Sequence, residues 1–121
     1  MPEYHKKEIY ALLEEKKIPC RIVEHEAVFT MEEMERAGID RYGCICKNLF
    51  LRDAKGKQHY LVSVPDERHV DLKWLSAALG TSKLSFASAE RLEKYLKVPQ
   101  GSVSPLALLN DESESVIFAA D

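Results

Sequence analysis

The spacing of apolar and polar positions changes several times along the chain, and each change marks an element. Residues 1–17, MPEYHKKEIYALLEEKK, put Ile9, Leu12 and Leu13 on one stripe of an amphipathic helix, with Pro2 where a first helical turn tolerates proline. Residues 18–25, IPCRIVEH, alternate as a strand does. In TMEEMERAG, residues 30–38, Thr30 and Glu33 form a capping-box pair and Gly38 suits the position just past a short helix. CKNLFLRD and QHYLVSVP, residues 46–53 and 58–65, are apolar runs joined through AKGK, the pattern of a β-hairpin whose second strand Pro65 closes. VDLKWLSAALG, residues 70–80, reads as a helix between an Asp71 cap and a Gly80 stop. KLSFA (83–87) is a short strand, and SAERLEKYL (88–96) a helix capped by Ser88. VPQGSVSPLALLN (98–110) is a loop punctuated by Pro99, Gly101 and Pro105 that leads into a helical turn, and SVIFAAD (115–121) is a last apolar strand. A hairpin combined with crossover helices implies an α/β domain around a mixed sheet.

The chain of 121 residues suits one domain, spanning 1–121, with a core large enough to stand without disulfides or metal. A formal charge of −3 argues against a protein that coats nucleic acid by electrostatics alone, so any contact with RNA goes through a local patch. Lys47, Arg52, Lys55 and Lys57 form the best such cluster, with Lys73, Lys83, Arg91, Lys94 and Lys97 further on. The sequence contains neither a bilayer-length apolar stretch nor a signal-peptide pattern, so no membrane partner is expected. Three cysteines, an odd number, point to a reducing cytoplasm. Cys44 and Cys46 read as two small buried residues; a metal site would need two more ligands at a spacing the sequence does not supply.

None of the standard catalytic signatures is present: no GxSxG, P-loop, HExxH or GxGxxG. His5, His25, His59 and His69 are scattered and read first as surface or packing histidines; His25 stands apart because it falls where a strand meets the loop before a helix cap. Lys47 and Asn48 are polar neighbours inside an apolar strand, either an edge pair reaching water or a charge held in a cleft. Gly101-Ser102-Val103-Ser104-Pro105 offers a close backbone approach, two adaptable hydroxyls and a rigid exit.

In this order, EHEAVFTMEE, then CKNLFLRDAKGKQHYLVSVPDERHVDLKWLSAALGTSKLSFAS, then GSVSPLALLND resemble the YbaK/ProX family of aminoacyl-tRNA editing domains, relatives of the insertion domain of bacterial prolyl-tRNA synthetase. The resemblance runs from about Glu24 to Asn110 and is most similar to ProX-type members. It implies a mixed, largely antiparallel sheet flanked by helices, and deacylation of mischarged aminoacyl-tRNA(Pro). Alanyl-tRNA(Pro) is the expected substrate and cysteinyl-tRNA(Pro) the alternative. It makes Lys47 the essential lysine, with Asn48 its companion, and Gly101 through Pro105 the GxxxP motif, including Ser102 and Ser104. Thr30 closes the AVFT stretch. Lys47 and Gly101 carry the catalytic expectation, His25 joins the substrate-binding set, and pocket walls are sought at Val28, Phe29, Phe50 and Phe86. No metal or organic cofactor is implied.

The ester is already activated, so such a site needs no strong nucleophile. It must hold the ester, admit water and stabilise the developing oxyanion. A small pocket separates alanine from proline by about 1–3 kcal/mol per methylene. Implied partners are the tRNA(Pro) acceptor end, prolyl-tRNA synthetase and a second copy of the chain. Family members continue past this chain's last residue with a further strand pair, a helix and a histidine–asparagine motif. The expectation is therefore a short form, either complete through pairing of its terminal strand or a catalytically incomplete module that binds the acceptor end.

Overall fold

The computed structural model describes residues 3–22, 24, 31–36, 38, 43 and 45–121. The chain divides into two compact units, residues 1–45 and 46–121. In the first, α1 (Lys6–Glu15) and α2 (Met31–Arg36) fall where the periodicity places them. Ile9, Leu12 and Leu13 form the half-buried stripe of α1, and Gly38 takes a positive φ of 74° just beyond α2. Among the described residues the alternation of IPCRIVEH does not produce a strand: Ile18 to Ile22 have no regular structure, and Ile18 and Ile22 are each about half exposed. Alternation is only permission to pair. Ile18 N–H goes instead to the Leu13 carbonyl at 3.0 Å, closing the end of α1.

The second unit holds a four-stranded sheet. Its strands are β1 (Cys46–Arg52), β2 (His59–Pro65), β3 (Ser85–Phe86) and β4 (Val116–Ala120), in the spatial order β3-β1-β2-β4. The hairpin forms as expected: β1 and β2 pair antiparallel from Cys46 opposite Pro65 to Arg52 opposite His59. Its turn is held by the Asp53 carboxylate, which accepts from the Lys57 N–H at 2.9 Å and the Gln58 N–H at 3.3 Å. β3 pairs antiparallel with Leu51 and Arg52 alone, so the Lys47 end of β1 lies beyond its reach. β4 returns parallel to β2.

Helices cover both faces. α3 (Leu72–Leu79) starts where the Asp71 carboxylate accepts from Lys73 N–H at 2.9 Å, and stops at Gly80, φ 67°. There Thr81 N–H reaches Ser76 O and Gly80 N–H reaches Ala77 O, the paired closure that left-handed glycine permits. α4 (Ala89–Leu96) is capped by Ser88 Oγ, which accepts from Arg91 N–H at 3.2 Å. A 3₁₀ helix, Pro105–Asn110, fills the place of the expected helical turn.

Strand alternation sorts the core into two clusters. Phe50 and Leu61 pack with Leu92, Leu96, Ala107 and Val116 on the α4 face. Leu51, Tyr60, Val62 and Val64 pack with Leu75 and Leu84 on the α3 face. β2, covered on both sides, is buried from His59 through Val64, which is why QHYLVSVP is apolar nearly throughout. Cys46 is exposed, not buried, because it opens β1 ahead of either cluster; Cys44 lies outside the described residues. Among the described residues no helix is long and apolar enough to cross a membrane.

Candidate functional site

Lys47 and Asn48 are neighbours in sequence and opposites in space. Lys47 stands across from Val64, on the α3 face, and Asn48 across from Ser63, on the α4 face. Lys47 is half-buried and has no ion-pair partner among the described residues. Val64, its cross-strand neighbour, also lines a cavity of about 470 Å³ between β2, β4 and α3, whose other walls include Val62, Leu75 and Ala119 with Trp74 at the mouth. Arg68 pairs with Asp121 at the rim of that cavity.

On the other face, Asn48 is the link between strand and loop. Its Oδ1 accepts a short 2.5 Å hydrogen bond from Ser63 Oγ, and its Nδ2 donates to the Val103 carbonyl at 3.1 Å. The two bonds join β1, β2 and the middle of the GxxxP segment in one chain of polar contacts.

That segment has a defined shape. Ser102 N–H bonds Pro99 O at 3.1 Å, closing a turn whose third position is Gly101 at φ 95°, a conformation that favours glycine. Ser104 Oγ accepts from Leu106 N–H at 3.1 Å and so caps the 3₁₀ helix that Pro105 opens. Gly101, Ser102 and Pro105 are exposed, while Val103 and Ser104 are half-buried. The far end of the 3₁₀ helix is fixed by Asn110 Nδ2, which donates to Leu96 O at 2.9 Å.

The structure thus brings Asn48, Val103 and the GxxxP loop together, and sets Lys47 on the opposite face of the same strand. Phe50 is 5% exposed inside the α4-side cluster and faces His59 at 5.4 Å between ring centroids, so its side chain belongs to the core. Phe86 is the reverse, 63% exposed on the short β3. Thr30, His25, Phe29 and Val28 lie outside the described residues.

The histidines keep their packing and surface roles where they are described. His5 bonds Glu3 and His69 is exposed. His59 is buried between Phe50 and Tyr95, with Arg91 Nη1 3.2 Å from its Nε2. Arginine is always a donor, so His59 Nε2 accepts and the ring is neutral. Burial, and then the Arg91 guanidinium, pull its pKa below the usual histidine value. No three His, Cys, Asp or Glu side chains among the described residues come together to hold a metal.

Sequence reading missed Ser63. The signal was available: it is the polar position inside an apolar strand, and hairpin register sets it across from Asn48.

Comparison with known proteins gives the family. Residues 25–121 match the model of the aminoacyl-tRNA editing domain. The prolyl-tRNA editing protein ProX of Acetoanaerobium sticklandii is 51% identical over 116 residues, covering 96% of this chain and 71% of that protein. A prolyl-tRNA synthetase associated domain-containing protein of Danio rerio is 39% identical over 96% of this chain and 62% of its own length. A human protein of the same description, named there as putative, is 41% identical over 86% of this chain and 62% of its own length. Among solved structures, the hypothetical protein APE2540 superposes with a TM-score of 0.70 over 93% of this chain and 72% of its own, at 19% identity, which is a likeness of fold. The chain therefore belongs to the aminoacyl-tRNA editing domain family, a class of hydrolases that cleave the ester between an amino acid and its tRNA.

Proposed function

We propose that this chain deacylates mischarged aminoacyl-tRNA(Pro) in trans, with alanyl-tRNA(Pro) its foremost substrate. The observation that carries the reading is the Asn48 bridge, which fixes the GxxxP loop to the strand that also carries Lys47, a lysine without an ion-pair partner among the described residues. A loop whose backbone is held in place is what oxyanion stabilisation needs, because donors aimed in advance cost no reorganisation when charge develops.

The two faces of β1 divide the work. Lys47, the second residue of the strand, presents a compact positive charge to the anionic 3′ end of the acceptor strand. Gly101 and its neighbours take the ester, and the exposed Ser102 hydroxyl orients it. Water attacks the ester carbonyl, the tetrahedral oxyanion forms against the loop, and collapse releases the amino acid and a tRNA hydroxyl. The ribose hydroxyl next to the ester relays the proton; a substrate lacking that hydroxyl and hydrolysed at the ordinary rate would refute this step. In this reading Phe86 is an exposed apolar contact for the substrate.

The same opposition of faces favours a second reading, an acceptor-end binding module that does not turn over. Release of amino acid from alanyl-, cysteinyl- and prolyl-tRNA(Pro) separates the two. Preferential release of alanine supports the proposal, preferential release of cysteine reassigns the substrate, and binding without release establishes the module. The proposal also carries prolyl-tRNA synthetase and a second copy of the chain as partners. β4 is an edge strand among the described residues, with Ile117 and Phe118 nearly half exposed, and copies pairing there would sediment as a dimer; a monomer at all concentrations removes that partner.

A further inference from the structure

We infer that Ser63 is a positioning residue that, through Asn48, holds the Val103–Ser104 peptide so that the Ser104 N–H serves as an oxyanion donor, an inference that rests on the deacylase reading above. Ser63 is buried, 9% exposed, and its hydroxyl donates to Asn48 Oδ1. An amide has one oxygen that accepts and one nitrogen that donates. Once Ser63 occupies the oxygen, the Asn48 nitrogen is turned the other way, and it meets the Val103 carbonyl at 3.1 Å. Were the amide reversed, two oxygens would face each other at the loop, and Ser63 Oγ would have to accept where it now donates.

The orientation then passes along the backbone. A trans peptide is planar, with its C=O and N–H pointing in opposite directions. The Val103–Ser104 peptide is trans, and its carbonyl is committed to Asn48. Ser104 N–H therefore points away from Asn48, and among the described residues it has no hydrogen-bond partner. The segment on its other side is held as well: Ser104 Oγ is engaged by Leu106 N–H, so the peptide is pinned from both ends. A backbone donor that is fixed, unpaired and set in a glycine-led loop is the feature an acyl-transfer site requires. The arrangement also explains why a serine interrupts an otherwise apolar strand at position 63.

The test uses the full chain and alanyl-tRNA(Pro) under single- and multiple-turnover conditions. Ser63→Ala frees the amide and lowers kcat about tenfold to a hundredfold with KM unchanged, the scale of a misaligned reacting group. Ser63→Thr, which keeps the hydroxyl, restores kcat. Asn48→Asp puts a carboxylate against the Val103 carbonyl, turns the peptide, and costs about a hundredfold in kcat, as loss of one oxyanion donor does. Each variant is also read by the Val103 carbonyl carbon shift, which moves when its hydrogen bond is lost and needs no activity. An unchanged kcat in a folded Ser63→Ala overturns the inference, as does a Val103 carbonyl shift that stays at the parent value. Loss of kcat that threonine fails to restore also overturns it, since the hydroxyl would not be the cause. If the parent itself releases no amino acid, the deacylase reading fails and the donor role falls with it, while a moved carbonyl shift still establishes Ser63 as the residue that sets the loop.

Discussion

Phe50 decides between two readings of the same residue, pocket wall or core. The ring is 5% exposed, packs with Leu61, Leu92 and Leu96, and stacks on His59. Fully burying a phenylalanine side chain is worth about 1.5–3 kcal/mol, so truncation to alanine forfeits up to about 3 kcal/mol of transfer free energy. The void left against close-packed neighbours adds to this, and Phe50→Ala should cost about 3–5 kcal/mol. Phe50→Leu keeps most of the volume and should cost about 1 kcal/mol. Urea titration followed by far-UV circular dichroism gives the stabilities, and the ratio of alanine to proline released from tRNA(Pro) gives the selectivity. The alanine variant should show a large stability loss and the leucine variant an unchanged ratio. Stability within about 1 kcal/mol of the parent for Phe50→Ala, or a shifted ratio for Phe50→Leu, would refute the core assignment.

His59 makes stability depend on pH. Its pKa is depressed in the folded chain, so the unfolded chain binds more protons once the pH nears the ordinary value of about 6.5. The stabilisation is whole above that pH and is lost as the pH falls on through the lower folded value; the gap in urea midpoint between the parent and His59→Phe should change over that window and be constant above it. Asp111 anchors β4, accepting from Ser115 N–H at 3.2 Å, Ser115 Oγ at 3.0 Å and Val116 N–H at 2.9 Å. Asp111→Ala should destabilise by about 2 kcal/mol, and hydrogen exchange should accelerate first at the β4 amides.

What the sequence disclosed, it disclosed through local signals. Asp71 and Gly80 bracket α3, Ser88 opens α4, and the AKGK connection gives the hairpin, because caps and turns are decided by a few adjacent residues. The parallel return of β4 onto β2 was not legible, since pairing across more than 50 residues leaves no local mark. Ile18 to Ile22 show the converse, a strand-like pattern without regular structure. At the site, Lys47 and Asn48 stood out as polar residues in an apolar strand, yet period-two alternation sends them to opposite faces, which adjacency in sequence conceals. Phe50 and Phe86 had equal claims as pocket walls on hydrophobicity alone; burial separates them, and burial is a property of the assembled sheet.

The proposed deacylation makes Lys47 essential to hydrolysis of the aminoacyl ester. The most direct test is the rate of alanine release from alanyl-tRNA(Pro) with the parent chain, with Lys47→Ala, and with no protein. The parent should release alanine well above the spontaneous rate, and the Lys47→Ala rate should fall back to it while the fold is unchanged by circular dichroism. Release by Lys47→Ala equal to the parent, or no acceleration by the parent, would contradict it.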